Sequence, residues 1–163
     1  IDMNRILTIA LMALMLPFYV SAQTSQGDKT DPSTQTAPGD KIIGVYLNGY
    51  HNQESKIRIF KEADGTYTAQ VCWVRNRCDE NGEVYRDEKN PDKSKRNIPC
   101  DQIVLMKGLV YNQEKDTWGD TKIYDPVRGI RANATCSFSK PAELKIRGAI
   151  MGIGETVYWK KLE

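Results

Sequence analysis

The chain has a single histidine, a formal net charge of only +2 over 163 residues, and no glycine-rich phosphate loop. Each shortage excludes something. One imidazole removes most His-based metal sites and the hydrolase triads built around a histidine base. A balance of 23 Lys and Arg against 21 Asp and Glu offers no basic face for nucleic acid. No apolar run reaches about 20 residues, the length a helix needs to cross a bilayer. Cys-x-x-Cys pairs and Cys/His clusters at zinc spacing are also missing, so no metal and no other cofactor is expected. Without a Ser/His/Asp set or an isolated carboxylate pair, the sequence points away from an enzyme.

What is present begins with an export pattern. Met3, the basic Arg5, an apolar stretch over 6–16, Pro17 and the small-residue exit Val20-Ser21-Ala22 read as a secretory signal peptide over residues 1–22, with 1–2 a start artefact. Cleavage near Ala22 would leave a periplasmic or secreted protein with no membrane span in its mature form. Gln23 stands where a lipoprotein would carry its acylated Cys. Residues 23–40 hold Gly27, Pro32, Pro38 and Gly39 with Ala37 as the one apolar side chain, which predicts a disordered spacer. The working domain is 41–163.

From residue 41 onward, short runs of strand-forming residues alternate with turn signals, and no helical period appears. The runs are 42–47, 56–61, 66–75, 102–111, 117–124, 131–138, 143–150 and 155–162. Ala63-Asp64-Gly65 predicts a hairpin, because Asp-Gly accepts positive φ. Alternation assigns the faces. Ala132, Ala134, Cys136 and Phe138 oppose Arg131, Asn133, Thr135 and Ser137; Leu144, Ile146, Gly148 and Ile150 oppose Glu143, Lys145 and Arg147. Eight antiparallel strands with one apolar face can close into an up-and-down barrel, which removes exposed edges. A two-sheet sandwich is the competing all-β reading.

Several motifs carry a family resemblance. Gly44-x-Tyr46, Ile57-Arg58-Ile59, Tyr67…Val71…Trp73, Asn90-Pro91-Asp92 with Arg96 and Pro99, Trp118-Gly119, Ile123-Tyr124-Asp125-Pro126 with Gly129, and Leu144-x-x-Arg147-Gly148 before Gly152, Gly154, Thr156 and Trp159 occur in order. Over about Gly44 to Lys160 the chain resembles the bacterial domain of unknown function 2147 family. That resemblance implies an exported, lipocalin-like barrel and brings no activity with it. Two positions depart from the family pattern: Cys100-Asp101-Gln102 replaces a Gly-Leu pair, and Glu155 replaces a cation.

Four cysteines in an exported domain favour disulfides. Pairing neighbouring strands predicts Cys72–Cys100, leaving Cys78–Cys136; a local Cys72–Cys78 bond is the alternative. The candidate ligand-binding residues are Tyr67, Trp73, Tyr124, Ala132, Ala134, Arg147, Gly148 and Trp159, with the small residues leaving volume that a core or a ligand must fill. Aromatics in a β-domain are more often core and girdle residues than ligand contacts, and alternation alone puts Arg147 on the surface, in reach of Glu143 or Asp125. A charged loop over 75–101 carries Asn90, Asp92 and Arg96 as candidate recognition residues, against the plainer reading of a solvated turn. His51 sits in a polar loop and reads as solvated. The expected function is binding of a small apolar or amphipathic molecule by a monomer; the alternative is an envelope structural or protein-interaction module with a filled barrel.

Overall fold

The computed structural model describes residues 36–49 and 54–163. The signal pattern, residues 23–35 of the spacer and His51 lie outside the described residues. Eight strands follow in order: β1 (Gly44–Asn48), β2 (Ser55–Lys61), β3 (Tyr67–Val74), β4 (Val104–Asn112), β5 (Thr117–Asp125), β6 (Ile130–Lys140), β7 (Glu143–Ile150) and β8 (Ile153–Lys161). Each pairs antiparallel with the next, and β8 returns to β1 through Tyr46 opposite Lys161 and Leu47 opposite Lys160, closing the barrel. The sheet therefore has no free edge along this seam. Among the described residues, no helix is long and apolar enough to cross a membrane.

The turns follow from local chemistry. At the β2–β3 hairpin, Asp64 accepts from the backbone N–H and the hydroxyl of Thr66, while Gly65 supplies the positive φ the turn requires. Asp125 does similar work between β5 and β6, accepting from the N–H groups of Val127 and Arg128. The inner face follows the expected alternation on β6 and β7, where Ala134 and Cys136 lie opposite Gly148 and Ile146.

Three features depart from the sequence reading. Residues 36–40 belong to the folded domain rather than the spacer: Pro38–Ile42 forms a 3-10 turn that stoppers one end of the barrel. Trp118 donates its indole N–H to the Gly39 carbonyl, Tyr46 donates its hydroxyl to the Ile42 carbonyl, and Ile42 is fully buried. Buried polar groups must be paired, and these two are.

The second departure is on β3. Ile57 faces Val71 but Lys56 faces Trp73, so Cys72 is an extra residue in the strand and the alternation breaks there. Trp73 is turned outward beneath the Lys56 ammonium, 5.4 Å from its ring centre.

The third concerns the cysteines, all four of which are free. The Cys72 thiol points to the Lys56 carbonyl on β2, whereas Cys100 lies in a 3-10 turn and points to the Arg77 carbonyl. They do not meet. Cys136 is sealed inside the barrel beside Met106, with burial pushing its thiol up to about 12, so it is out of reach of the exposed Cys78.

Candidate functional site

The barrel interior is divided into a packed half and an open half. Around the stopper, Tyr46, Trp118, Leu109, Cys136, Leu144 and Ile146 fill the lumen, with the Trp118 and Phe138 rings edge-to-face at 5.8 Å. Toward the opposite end the side chains shrink. Gly148 and Ala132 lie on neighbouring strands beside Ile123: a Cβ added at Gly148 would meet Ile123 at 3.3 Å and Ala132 at 3.4 Å. The space left is a cavity of about 930 Å³, walled by Val71, Leu105, Ile123, Ala132, Ile146, Gly148 and Trp159. That volume falls within the roughly 300–1,000 Å³ span of small-molecule sites.

One buried donor near the cavity is unusual. The indole N–H of Trp159 is buried and has no acceptor among the described residues, whereas that of Trp118 is satisfied by Gly39. A buried indole N–H ordinarily finds a partner.

The mouth is charged and apolar at once. Arg75 pairs with Glu54, and Arg128 with Asp125 and Glu155. Arg86 and Lys89 instead donate to the backbone carbonyls of Asn97 and Val127. Between these polar groups stand Tyr85, Val127, Ile130, Ile150, Met151 and Ile153, all exposed and all lining the opening.

The loop over 75–101 is held against the barrel by a buried polar network. Tyr124 donates to one oxygen of Asp87 at 2.6 Å, and Asn90 donates its amide to the other at 2.6 Å. Arg96 donates to the Asn90 carbonyl, and the Asn90 side chain accepts from the Asp92 N–H. Burial and the Asp87 bond both push the Tyr124 phenol above its ordinary range. Arg131 stacks on the Tyr124 ring at 4.8 Å. Close approach of the loop also fixes Gly129, where a Cβ would sit 2.4 Å from the Lys89 carbonyl oxygen.

The sequence candidates therefore separate. Ala132, Gly148 and Trp159 line the cavity together. Ala134 is buried deeper in the packed half. Tyr67 is at the stoppered end, its hydroxyl donating to Asp40, and does not line the cavity. Trp73 is outside the barrel, and Arg147 is on the outer face, opposite to the inward Ile146 and Gly148. Tyr124 touches the mouth, but its hydroxyl is committed to Asp87. Asn90, Asp92 and Arg96 bond to one another and tie the loop down. Asp87, the acceptor at the centre of that network, was not singled out in the sequence; its spacing of three from Asn90 in a charged run carried no distinguishing signal. Among the described residues, no group of three His, Cys, Asp or Glu side chains is placed to hold a metal ion.

Comparison with known proteins agrees with this architecture. A solved structure described as "Protein HP1028 from the human pathogen Helicobacter pylori belongs to the lipocalin family" is similar, with a TM-score of 0.61, 20% identity, and coverage of 74% of this chain and 82% of that one. At that identity the likeness speaks for the fold alone. No curated protein matches the chain. The family described as uncharacterized protein conserved in bacteria, domain of unknown function 2147, matches residues 44–161. With a closed lipocalin-like barrel and a family match over more than half its length, the chain belongs to the domain of unknown function 2147 family.

Proposed function

We propose that the protein binds a small apolar or amphipathic molecule in the open half of its barrel, as an exported monomer. The observation that carries this is the half-filled lumen. A stopper and a packed core close one end, while small residues at Ala132 and Gly148 leave about 930 Å³ with apolar walls at the other. A barrel serving only as a structural module gains by filling that volume, since every buried cavity forfeits packing contacts. Export rests on the sequence pattern of residues 3–22.

Native mass spectrometry of protein from its own host, followed by organic extraction, tests the reading. A recurrent bound small molecule is expected, and Ala132→Trp, which fills the lumen, should lose it. Protein that is empty from its host and takes up no apolar fluorescent probe such as N-phenyl-1-naphthylamine would overturn the reading.

A further inference from the structure

The charged loop over 75–101 brings two of its cysteines to one edge. Its extended stretches pair Cys78 with Val84 and Arg86 with Pro99. Between them, Tyr85 donates its backbone N–H to the Arg77 carbonyl at 3.0 Å and accepts from the Cys100 N–H at 2.9 Å. In a regular antiparallel pair one opposite residue makes both bonds. Here the two are split between Arg77 and Cys100, so the segments that carry Cys78 and Cys100 meet end to end beside Tyr85.

Side chains tie the same junction. Arg77 Nε donates to Asp101 Oδ2 at 2.6 Å, joining the residue before Cys78 to the residue after Cys100. The Cys78 thiol lies against the same guanidinium, and the Cys100 thiol points to the Arg77 carbonyl oxygen at 3.7 Å. That carbonyl is bonded to the Cys78 nitrogen, so standard peptide dimensions hold the Cys100 sulfur within roughly 6.5 Å of the Cys78 Cα. A disulfide places a sulfur roughly 4 Å from its partner's Cα. A rotamer change at the exposed Cys78 and a loop shift of about 2–3 Å therefore close the pair. Neither other cysteine competes, since the Cys72 thiol points to the Lys56 carbonyl on β2 and Cys136 is sealed in the barrel.

We infer that Cys78 and Cys100 are a disulfide pair, joined across the neck of the loop when the protein meets a disulfide oxidant. The closed segment contains Tyr85, Arg86, Glu88 and Lys89, which line the cavity mouth, so the bond fixes that side of the opening covalently. With oxidised glutathione, the Cys78 thiolate attacks one sulfur and releases a glutathione thiolate; the Cys100 thiolate then attacks Cys78 Sγ and releases the second. Two protein thiols and one glutathione disulfide become one protein disulfide and two glutathione thiols.

Incubation of the native protein with oxidised glutathione, followed by tryptic digestion without reductant and mass spectrometry, tests the pairing. The peptide of residues 78–86 should be recovered joined to that of residues 97–107 and two hydrogens lighter than their sum, in monomeric protein. Oxidation should also raise the melting temperature by about 5 °C or more. In Cys78→Ser, both the linked peptide and the melting shift should disappear. A bond from either cysteine to the 62–75 peptide that carries Cys72 would overturn the inference, as would a disulfide-linked dimer. Thiols at both positions after complete oxidation, or equal melting of the oxidised and reduced forms, would overturn it as well.

Discussion

The phenol of Tyr124 on β5 donates a 2.6 Å hydrogen bond to the buried carboxylate of Asp87, 37 positions earlier in the chain. That bond joins the long charged loop to the barrel wall. Asn90 completes the acceptor's environment from within the loop, and Gly129 allows the close approach of Lys89. The loop is therefore a fixed part of the mouth, and its Tyr85, Arg86 and Lys89 are presented in set positions.

Replacing Tyr124 with Phe should cost roughly 1–3 kcal/mol, because it strands one oxygen of a buried carboxylate while keeping the ring. Urea denaturation measures the loss. Tryptic cleavage within 86–96 should accelerate in the same variant, as the loop gains a low-energy opening. An unchanged midpoint and cleavage rate would remove the network from its role as a latch.

Thiol reactivity should divide the cysteines. Cys72 and Cys78 are exposed and should react quickly with a neutral thiol reagent, whereas Cys136, buried and raised to about 12, should react only on unfolding. Cys100 should be slow, since burial followed by the neighbouring Asp101 raises its thiol. Peptide mapping after native labelling reads the order. Early modification of Cys136 would contradict a sealed lower core.

Alkali should unfold the barrel. Burial is the largest cause raising the phenols of Tyr46, Tyr67 and Tyr124, assisted by Cys136, Asp40 and Asp87 respectively. Their folded-state values exceed the unfolded value of about 10. Their contribution is thus complete below that pH and is lost as pH climbs through the raised range, because the unfolded chain releases these protons first. Absorbance at the tyrosinate band should show Tyr46, Tyr67 and Tyr124, of the seven tyrosines after residue 22, ionising only together with loss of the circular dichroism signal. Smooth ionisation of all seven before unfolding would refute it.

Met151→Asn should stabilise the fold by about 1 kcal/mol, since asparagine relieves the cost of a left-handed residue in the β7–β8 turn. Thermal denaturation reads this directly. A lower melting temperature would show that the methionine side chain packs in a way its exposure does not suggest.

Much of the fold was legible because strand alternation is a local code. On β6 apolar and polar residues alternate from Ile130 to Ser139 and on β7 from Glu143 to Gly148, so the inner face and the small residues Ala132 and Gly148 could be read directly, and eight such strands pointed to a meander that could close. The Asp-Gly hairpin was equally local. Trp159 was legible as a candidate cavity aromatic, although its missing acceptor was not.

Alternation fails where the register slips. One extra residue at Cys72 turns Trp73 from the lumen to the surface, and nothing in a single strand announces it, because the slip is set by pairing with Lys56 and Ile57. The stopper is similar: Pro38–Ile42 looks like the end of a spacer until Trp118 and Tyr46, far along the chain, supply its hydrogen bonds. Cysteine pairing failed for the same reason, since thiol direction depends on the bulge and on the turn at Cys100. By itself the sequence determined an all-β domain of eight strands and, on β6 and β7, which side chains face inward. Tertiary structure alone decided that one half of that interior is plugged and the other left open, because long-range hydrogen bonds and closure, unlike strand period, are not written in neighbouring residues.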